Sequence, residues 1–414
     1  MQYHLLAAIM TTAVVAGPQP FGQLPHTVTA RVEAFPLLVP QQNISDFKSL
    51  LYLSKIGPST WANDQQNGEF GVSRQWLDST KDVWLSQFNW RARETRVNSF
   101  PNFRITINDS DFGDFGVHFA ALFSSRPDAI PIIFLHGWPG SFMEFLRIME
   151  LLSHKYTPGT LPYHVVVPSL PGYGLSSQPP LNKEFTMVDA ARILNQMMIE
   201  LGFGNGYIAQ GGDVGSFISS LLARNHAECK AFHRVNLLMA SQSNHSMVGL
   251  TATDLDHLER AKRFQATGTA YAMEHGTRPA TIGLALSASP LGLLAWIGEK
   301  LLEWVDEPLP LDDILADVSL YWFTSTYPSS LYPYRATFQN GSDFTAPKNK
   351  PLGFSSFPFE IYALPKAWAE EEYPNLRFYR EHDKASDDGW NFHESLLADV
   401  EEFIAEVGRP AVRQ

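Results

Sequence analysis

The residues of this chain that could do chemistry begin with Gly-Gly-Asp-Val-Gly-Ser at positions 211–216. Their spacing is that of the G-x-S-x-G nucleophile elbow, with Asp213 in place of the serine. The apolar run at 207–210 predicts a short buried strand before the motif, and residues 217–223 predict a helix after it. A carboxylate on such a turn, at a helix N-terminus that favours its ionised form, is a nucleophile for carbon. The aspartate argues against an esterase, because it cannot be acylated and released as serine is.

A second motif, His136-Gly137-Trp138-Pro139-Gly140, follows the apolar run at 132–135. An α/β-hydrolase has at this point the loop that supplies one N–H group of its oxyanion hole. We therefore predict that the N–H groups of Trp138 and Val214 are the two donors. Each such donor is worth roughly 3 kcal/mol against a developing negative charge. His136 is predicted to hold the loop in place and not to act as an acid or base.

The elements that must position these motifs follow from the hydrophobic pattern. From about Val117 onward, short apolar runs alternate with helical segments and glycine-rich turns. This alternation predicts an α/β fold, with an α/β-hydrolase core in which helices flank a mostly parallel sheet. The run 235–240 is predicted to be the strand after the elbow helix, and Cys229 is placed on that helix as a packing residue.

Two further regions are predicted to be helical. A long segment rich in Tyr, Trp and Leu predicts a lid after the elbow helix. Before the core, aromatic residues predict a helical N-terminal extension whose rings pack inside the protein. The predicted divisions are a leader at 1–25, the N-terminal region at 26–111, the two parts of the core at 112–240 and 349–414, and the lid at 241–348.

Composition narrows the classes of protein to consider. Of 414 residues, 44% are hydrophobic and 13% aromatic, which is enough to bury a large core. The net charge is −12, and the sequence has neither a basic run nor the spacing of a zinc site. We therefore predict that nucleic acid is not a partner and that no metal or other cofactor is needed. The single cysteine excludes an internal disulfide framework.

The N-terminus is compatible with two interpretations. Residues 5–17 are uncharged and mostly apolar or small, and Val14-Val15-Ala16 resembles a cleavage site, but no Lys or Arg precedes them. A signal peptide and a plain leader both remain open, as do a secretory or extracellular location and a cytoplasmic one. The stretch is too short to cross a bilayer as a helix, so no stable membrane span is predicted. Sequons that permit a secretory route occur at Asn43, Asn108, Asn244 and Asn340.

Taken together, the motifs resemble those of the microsomal-type epoxide hydrolases, most closely the fungal members. The elbow around Asp213 and the loop at 136–141 carry the resemblance in the core. The likeness covers almost the whole chain. It continues in Phe88-Asn89-Trp90-Arg91, Tyr271-Ala272-Met273-Glu274-His275, Trp296-Ile297-Gly298-Glu299-Lys300, Tyr321-Trp322, Tyr334-Arg335 and Pro351-Leu352-Gly353-Phe354-Ser355.

The resemblance implies a reaction in two steps on a small apolar epoxide. Asp213 would attack a carbon of the oxirane while two lid phenols, Tyr271 and Tyr334, hydrogen-bond the ring oxygen. A histidine oriented by an acid would then activate water to hydrolyse the ester on Asp213. The acid corresponds to Glu360, which follows the Gly-Phe-Ser-x-Phe-Pro stretch. The resemblance implies no cofactor, and a homodimer is one of the states that the sequence leaves open.

The chain departs from the family pattern at the histidine. Family members carry Gly-Gly-His-Phe between the last strand and the last helix, whereas this chain has Trp390 at the histidine position. His393 lies three residues further on and could serve if the loop were remodelled. His382 directly follows the last predicted strand and is a second candidate. The third interpretation is that the water-activating histidine is absent.

This departure leaves alternatives to a hydrolase open. With no hydrolytic base, Asp213 could act as a general base on a substrate hydroxyl while the tyrosines activate the epoxide, which would close a ring. A binding protein that keeps the fold without the chemistry is an alternative from another class. A haloalkane dehalogenase also uses an elbow aspartate, but it would need halide-binding groups in place of a phenol pair.

Overall fold

The computed structural model describes residues 19–238, 245–305, 307–336, 346–382 and 392–408. Within these ranges, nine strands form one sheet. Numbered along the chain, they are β1 Val32–Ala34, β2 Asn102–Asp109, β3 Gly113–Leu122, β4 Ile130–Leu135, β5 Tyr163–Pro168, β6 Tyr207–Gly212, β7 Cys229–Val235, β8 Leu352–Ser356 and β9 Leu376–Glu381. Their order across the sheet is β1-β2-β3-β5-β4-β6-β7-β8-β9.

Helices flank the sheet and cover its carboxyl edge. The core helices are α4 Leu146–Lys155, α5 Met187–Met198, α6 Val214–Asn225, α13 Lys366–Glu372 and α14 Phe392–Val407. The N-terminal helices are α1 Gln41–Leu53, α2 Arg74–Ser86 and α3 Trp90–Asn98. The lid contains α7 Ala252–Thr267, α8 Ala270–Thr277, α9 Pro279–Ser287, α10 Pro290–Glu303, α11 Leu311–Thr324 and α12 Tyr332–Arg335.

The sheet is parallel from β5 to β9 and antiparallel where β1, β2 and β3 join it. All six residues of β4 are buried, as expected for a central strand covered on both faces. The connection from β4 through α4 leads one way to β5, and that from β6 through α6 leads the other way to β7. Right-handed crossovers therefore put α4 and α6 on opposite faces and leave a crevice at the carboxyl ends of β4 and β6. The two chemical motifs both start at this crevice.

The strand after the elbow helix was predicted wrongly. It spans Cys229–Val235, so Cys229 begins a strand instead of lying on a helix, and Val235 ends it instead of starting it. The hydrophobic pattern hid this strand because His233 and Arg234 are fully buried polar residues. Each has a polar partner: His233 contacts the Ser355 hydroxyl of β8 at 3.2 Å, and the Arg234 guanidinium donates to the Leu237 carbonyl at 2.6 Å.

The N-terminal region is not purely helical, because it also contributes β1 and β2 to the sheet. The β2–β3 hairpin crosses the predicted boundary at 111/112. The aromatic residues of this region pack as expected. Trp84 is fully buried, contacts Phe47 with ring centroids 4.9 Å apart, and donates its indole N–H to the Ser319 hydroxyl of α11. Arg93 pairs with Asp313 at 2.6 Å, so the region braces the lid from outside.

Several predictions about targeting fall outside the described residues. These are the proposed cleavage site at 14–17 and the sequons at Asn244 and Asn340. Asn43 and Asn108 are both exposed in the structure. Among the described residues, no single helix is long and apolar enough to cross a membrane. The pair Pro279–Ser287 and Pro290–Glu303 meets that test only when both helices are counted together across a bend of 119°.

Candidate active site

Asp213 lies at the turn between β6 and α6, where the sequence predicts an elbow. Its backbone has φ 49° and ψ −122°, a conformation that residues with side chains rarely adopt. The turn depends on its neighbours having no side chains. A Cβ atom on Gly211 would overlap the Gly215 carbonyl, and one on Gly215 would overlap the Leu135 carbonyl. This tight packing of helix on strand holds the Asp213 carboxyl over the crevice.

Two backbone N–H groups bind the Asp213 carboxyl. The N–H of Trp138 donates to Oδ1 at 2.8 Å, and the backbone of Val214 also hydrogen-bonds the carboxyl. Desolvation raises the pKa of Asp213 to about 6, and these two hydrogen bonds limit the rise. Both groups predicted as oxyanion donors therefore contact the aspartate in the resting protein.

The loop that carries Trp138 is held by a buried histidine. His136 Nε2 accepts the N–H of Leu170 at 3.0 Å, and Nδ1 lies 3.0 Å from the Gly137 carbonyl. These contacts fit a neutral imidazole that donates from Nδ1 and accepts at Nε2. Burial lowers the pKa of His136 to about 4, so the ring stays neutral at physiological pH. The ring thus fixes the loop, as predicted.

The two lid tyrosines meet above this loop. Tyr271 of α8 and Tyr334 of α12 hydrogen-bond one another, and their ring centroids are 5.6 Å apart. Tyr271 stacks on Trp138 with centroids 5.4 Å apart, and Tyr334 meets the edge of the same indole at 5.6 Å. Burial, with the charge of Asp213 as a further cause, raises the pKa of both phenols. Both therefore keep their protons and can donate hydrogen bonds.

Asp213 lies where two cavities meet. The first, which we call the apolar cavity, has a volume of about 450 Å³. Besides Asp213, it is lined by Tyr271, Tyr334 and a wall of apolar and aromatic side chains that includes Phe217, Phe264, Met273 and Tyr362.

The second, which we call the acid-lined cavity, has a volume of about 230 Å³. Besides Asp213, its wall includes Trp138, Glu144, Glu360 and Lys300, together with apolar and aromatic side chains. Burial, and then the charge of Asp213, raises the pKa of Glu360 well above its ordinary value. The structure thus brings the predicted aspartate, tyrosines, glutamate and oxyanion donors to one place, with phenols and carboxyls on different sides of Asp213.

Comparison with known proteins places this chain in a family. It matches the family model described as Epoxide hydrolase N terminus over residues 32–145 and the one described as alpha/beta hydrolase fold over 130–285. A protein of Dothistroma septosporum (strain NZE10 / CBS 128990), whose name places it among the epoxide hydrolases, is 41% identical over 390 residues, covering 92% of this chain and 91% of the relative. The chain belongs to the epoxide hydrolase family.

Solved structures agree with this assignment. The structure of Aspergillus niger epoxide hydrolase superposes with a TM-score of 0.86 at 44% sequence identity, covering 94% of this chain and 100% of that one. Epoxide hydrolase 1 of Sus scrofa is 30% identical over 384 residues, covering 84% of this chain and 83% of the relative. The predicted α/β-hydrolase fold and the resemblance to epoxide hydrolases are confirmed, and the protein is a hydrolase of this family.

The histidines are where this epoxide hydrolase family member differs from the expected pattern. His393 lines a separate cavity of about 470 Å³, and its Nε2 lies 2.5 Å from the Glu144 carbonyl. His382 contacts Asp399 at 2.6 Å and stacks on Phe357 with centroids 4.5 Å apart. Among the described residues, no histidine lines either cavity that contains Asp213. Trp390 lies outside the described residues.

Two further residues near the site carry no role predicted from the sequence. His275 Nε2 accepts the Trp296 indole N–H and lies 3.0 Å from both that nitrogen and the Tyr327 hydroxyl, and its ring packs against Trp138 and Tyr334. Its position four residues after Tyr271 puts it on the same face of α8, which is a signal that the sequence does contain. The other residue is Glu144, whose carboxyl reaches the oxyanion loop.

Proposed function

We propose that this protein hydrolyses epoxides to diols through an ester intermediate on Asp213. The observation that carries the proposal is the position of Asp213 between the two cavities. Proton donors for an oxirane oxygen lie on one side, and carboxyls suited to handling water lie on the other. The family supplies the substrate class, because its named members are epoxide hydrolases.

In the first step, an epoxide occupies the apolar cavity. An Asp213 oxygen forms a bond to one ring carbon while that carbon's bond to the ring oxygen breaks. Tyr271 and Tyr334 hydrogen-bond the ring oxygen, and the alkoxide takes a proton from this pair as it forms. Positioned general acids typically accelerate a reaction by about 10²–10⁴-fold, and we expect the tyrosine pair to accelerate ring opening to a roughly comparable extent. The phenols then regain a proton from solvent.

In the second step, water hydrolyses the ester on the other side of Asp213. Oδ1 becomes the ester carbonyl oxygen, since the Trp138 N–H already binds it. The same N–H and that of Val214 would stabilise the negative charge that develops there. We propose that Glu360 orients the attacking water molecule or the base that activates it. His393 as that base remains a prediction. Its Nε2 contacts the Glu144 carbonyl, and His393 does not line either cavity that contains Asp213.

The first test is the reaction itself. Purified protein is incubated with terminal alkyl and aryl epoxides, and both diol release and intact protein mass are followed. We expect diol, or an increase in protein mass by one epoxide located on Asp213. If neither diol nor adduct formed with any epoxide of the panel, the proposal would be contradicted.

The apolar cavity predicts a size limit on the substrate. Ala272 lines this cavity, so Ala272→Leu narrows it. We expect kcat/KM for a phenyl-substituted epoxide to fall about 10-fold or more relative to propylene oxide, because pocket shape discriminates by roughly 1–3 kcal/mol per methylene. The matched control is Ala270→Leu, an exposed position on the same helix. An equal loss for both epoxides in Ala272→Leu would contradict this use of the cavity.

The rate of ester formation should depend on pH through Asp213. The pKa of Asp213 is raised to about 6, and only the carboxylate is a nucleophile. The protonated, inactive form therefore accumulates below about pH 6, and the rate should rise about tenfold per pH unit there and level off above it. Rapid-quench measurement of adduct mass between pH 4.5 and 8 tests this. A rate that is flat through this range would contradict it.

A ring-closing reaction is the second candidate. It is favoured by one observation: among the described residues, no histidine lines either cavity with Asp213. Asp213 would take the proton of a substrate hydroxyl, whose oxygen then attacks the epoxide carbon. The product would have the mass of the substrate, whereas a diol is heavier by one water. Mass analysis of products from a hydroxy-epoxide distinguishes the two.

A further inference from the structure

Glu144 lines the same cavity as the candidate nucleophile, and the charge of Asp213 acts on its carboxyl. Glu144 follows the oxyanion loop within the single turn Phe142–Phe145, and its carboxyl hydrogen-bonds the backbone of Gly137. The next residue, Trp138, donates its N–H to Asp213 Oδ1. Two consecutive residues of one loop therefore bind two different carboxyls, so both acids are anchored to the same loop.

Two glycines of the loop make room for these carboxyl side chains. A Cβ atom on Gly140 would overlap Glu144 Oε2, so the carboxyl folds back over the loop. One on Gly137 would overlap the Asp213 side chain. The glycines leave room for both acids against the same stretch of backbone. Glu144 and Asp213 also line the same acid-lined cavity, where a water molecule could contact both.

The charge of Glu144 is coupled to that of Asp213. Burial, then the charges of Asp317 and Asp213, raises the pKa of Glu144 well above its ordinary value. These causes favour the protonated form of Glu144 while Asp213 is ionised. Once Asp213 is an ester it carries no charge, so one source of repulsion disappears and the ionised form of Glu144 becomes easier to reach.

We propose that Glu144 is the general base that activates water for hydrolysis of the ester on Asp213. This inference rests on the proposed function. It assigns the second step to a carboxylate in a chain whose sequence lacks a histidine at the family position. Glu144 is preferred to His393 because Glu144 lines the cavity with Asp213, whereas His393 contacts the main chain of Glu144 from a different cavity.

The step balances without another reactant. The Glu144 carboxylate takes a proton from water, and the hydroxide adds to the ester carbonyl carbon of Asp213. The bond between that carbon and the ester oxygen breaks, and the leaving oxygen takes the proton from Glu144 to complete the diol. The Asp213 carboxylic acid then loses its proton. This proton replaces the one consumed when the ring opened, so the cycle adds one water.

Glu144 also lines the separate cavity of about 470 Å³ that contains His393, which we call the outer cavity. Asp317 and Arg147 line it as well. Burial raises the pKa of Asp317 to about 7, and the Ser141 side chain hydrogen-bonds it. An acid that titrates near neutral pH behind Glu144 can accept or supply its proton from this second cavity.

The decisive variant is Glu144→Gln, which keeps the size of the side chain and its contact with the loop. Ester formation and ester hydrolysis are measured separately, by rapid-quench protein mass and by diol release. We expect ester formation within about threefold of wild type and hydrolysis slower by about 10²–10⁴-fold, so that the ester accumulates. The matched control is Glu150→Gln, a partly exposed acid of α4 that lines only the outer cavity.

A chemical-rescue arm separates catalysis from structure. In Glu144→Ala, added acetate or formate should restore hydrolysis, with a rate that rises as the added acid ionises. A merely structural role would show no such dependence. Normal hydrolysis in Glu144→Gln, or loss of ester formation together with hydrolysis, would overturn the inference.

Two further variants test competing bases. Ester that accumulates in Glu360→Gln or His393→Ala, while Glu144→Gln turns over normally, would assign the base to Glu360 or His393 and overturn the inference. If wild-type protein yields neither ester nor diol, the proposed function itself fails, which is a different and recognisable result.

Discussion

Asp213→Asn should abolish both products of the reaction. The amide is a poor nucleophile, so we expect no epoxide adduct on the protein and a loss of diol formation of about 10⁴-fold or more, as for other nucleophiles in multi-residue sites. Adduct mass and diol release are measured on the same samples. Diol formation within about tenfold of wild type would contradict the assignment of Asp213.

Stability provides the control for this variant. The pKa of Asp213 is about 6 in the folded protein, above its ordinary value of 3.8. A raised acid pKa means that the ionised form opposes folding, and stability falls as pH rises from about 4 to 6. At pH 8 the neutral asparagine should therefore be as stable as aspartate, or more stable by on the order of 1–3 kcal/mol. A thermal midpoint at or above that of wild type would show that the loss of activity is chemical.

The second large effect is expected from the lid tyrosines. Each single replacement, Tyr271→Phe or Tyr334→Phe, should slow ester formation about 10²-fold, because one hydrogen-bond donor to the leaving oxygen remains. The double replacement leaves no phenol on the ring oxygen, and we expect a loss of about 10³–10⁴-fold. Ester formation is measured by rapid-quench protein mass at saturating epoxide.

The neighbouring Tyr332 provides a matched control. It is a buried tyrosine of α12, two residues before Tyr334, and its hydroxyl has no hydrogen-bond partner among the described residues. Tyr332→Phe removes the same atom from the same helix and should leave the rate of ester formation unchanged. If the double replacement of Tyr271 and Tyr334 behaved like this control, the phenols would not be the acid.

The sequence predicted the parts of the site that are set by local geometry. A glycine-flanked elbow between a strand and a helix exposes the side chain at its centre. The position of Asp213, its strand and its helix could therefore be predicted. The loop at His136 could be identified because its position after β4 is fixed by the fold. The tyrosines and Glu360 came from family resemblance, since nothing in their local sequence distinguishes them from packing or surface residues.

Other features depend on contacts between distant segments. His233 of β7 is buried against Ser355 of the neighbouring strand β8, far away in sequence, and hydrophobic pattern cannot show this contact. The division of the site into two cavities depends on how the lid covers Asp213. Glu144 could be identified only from the structure, in which its carboxyl hydrogen-bonds the backbone of Gly137. His393 could be named from its spacing, but its contact with Glu144 required the structure.

The measurement that tests the central claim most directly is a single turnover in ¹⁸O-labelled water with enzyme in excess over epoxide. If Asp213 attacks the epoxide, the first diol carries unlabelled oxygen from the protein, and ¹⁸O appears in the Asp213 carboxyl of the digested peptide. If hydrolysis is too slow to release diol, an epoxide adduct on that peptide shows the attack by Asp213 instead. A first-turnover diol that carries ¹⁸O, with no label or adduct on Asp213, would show that water opens the ring directly and would contradict the account.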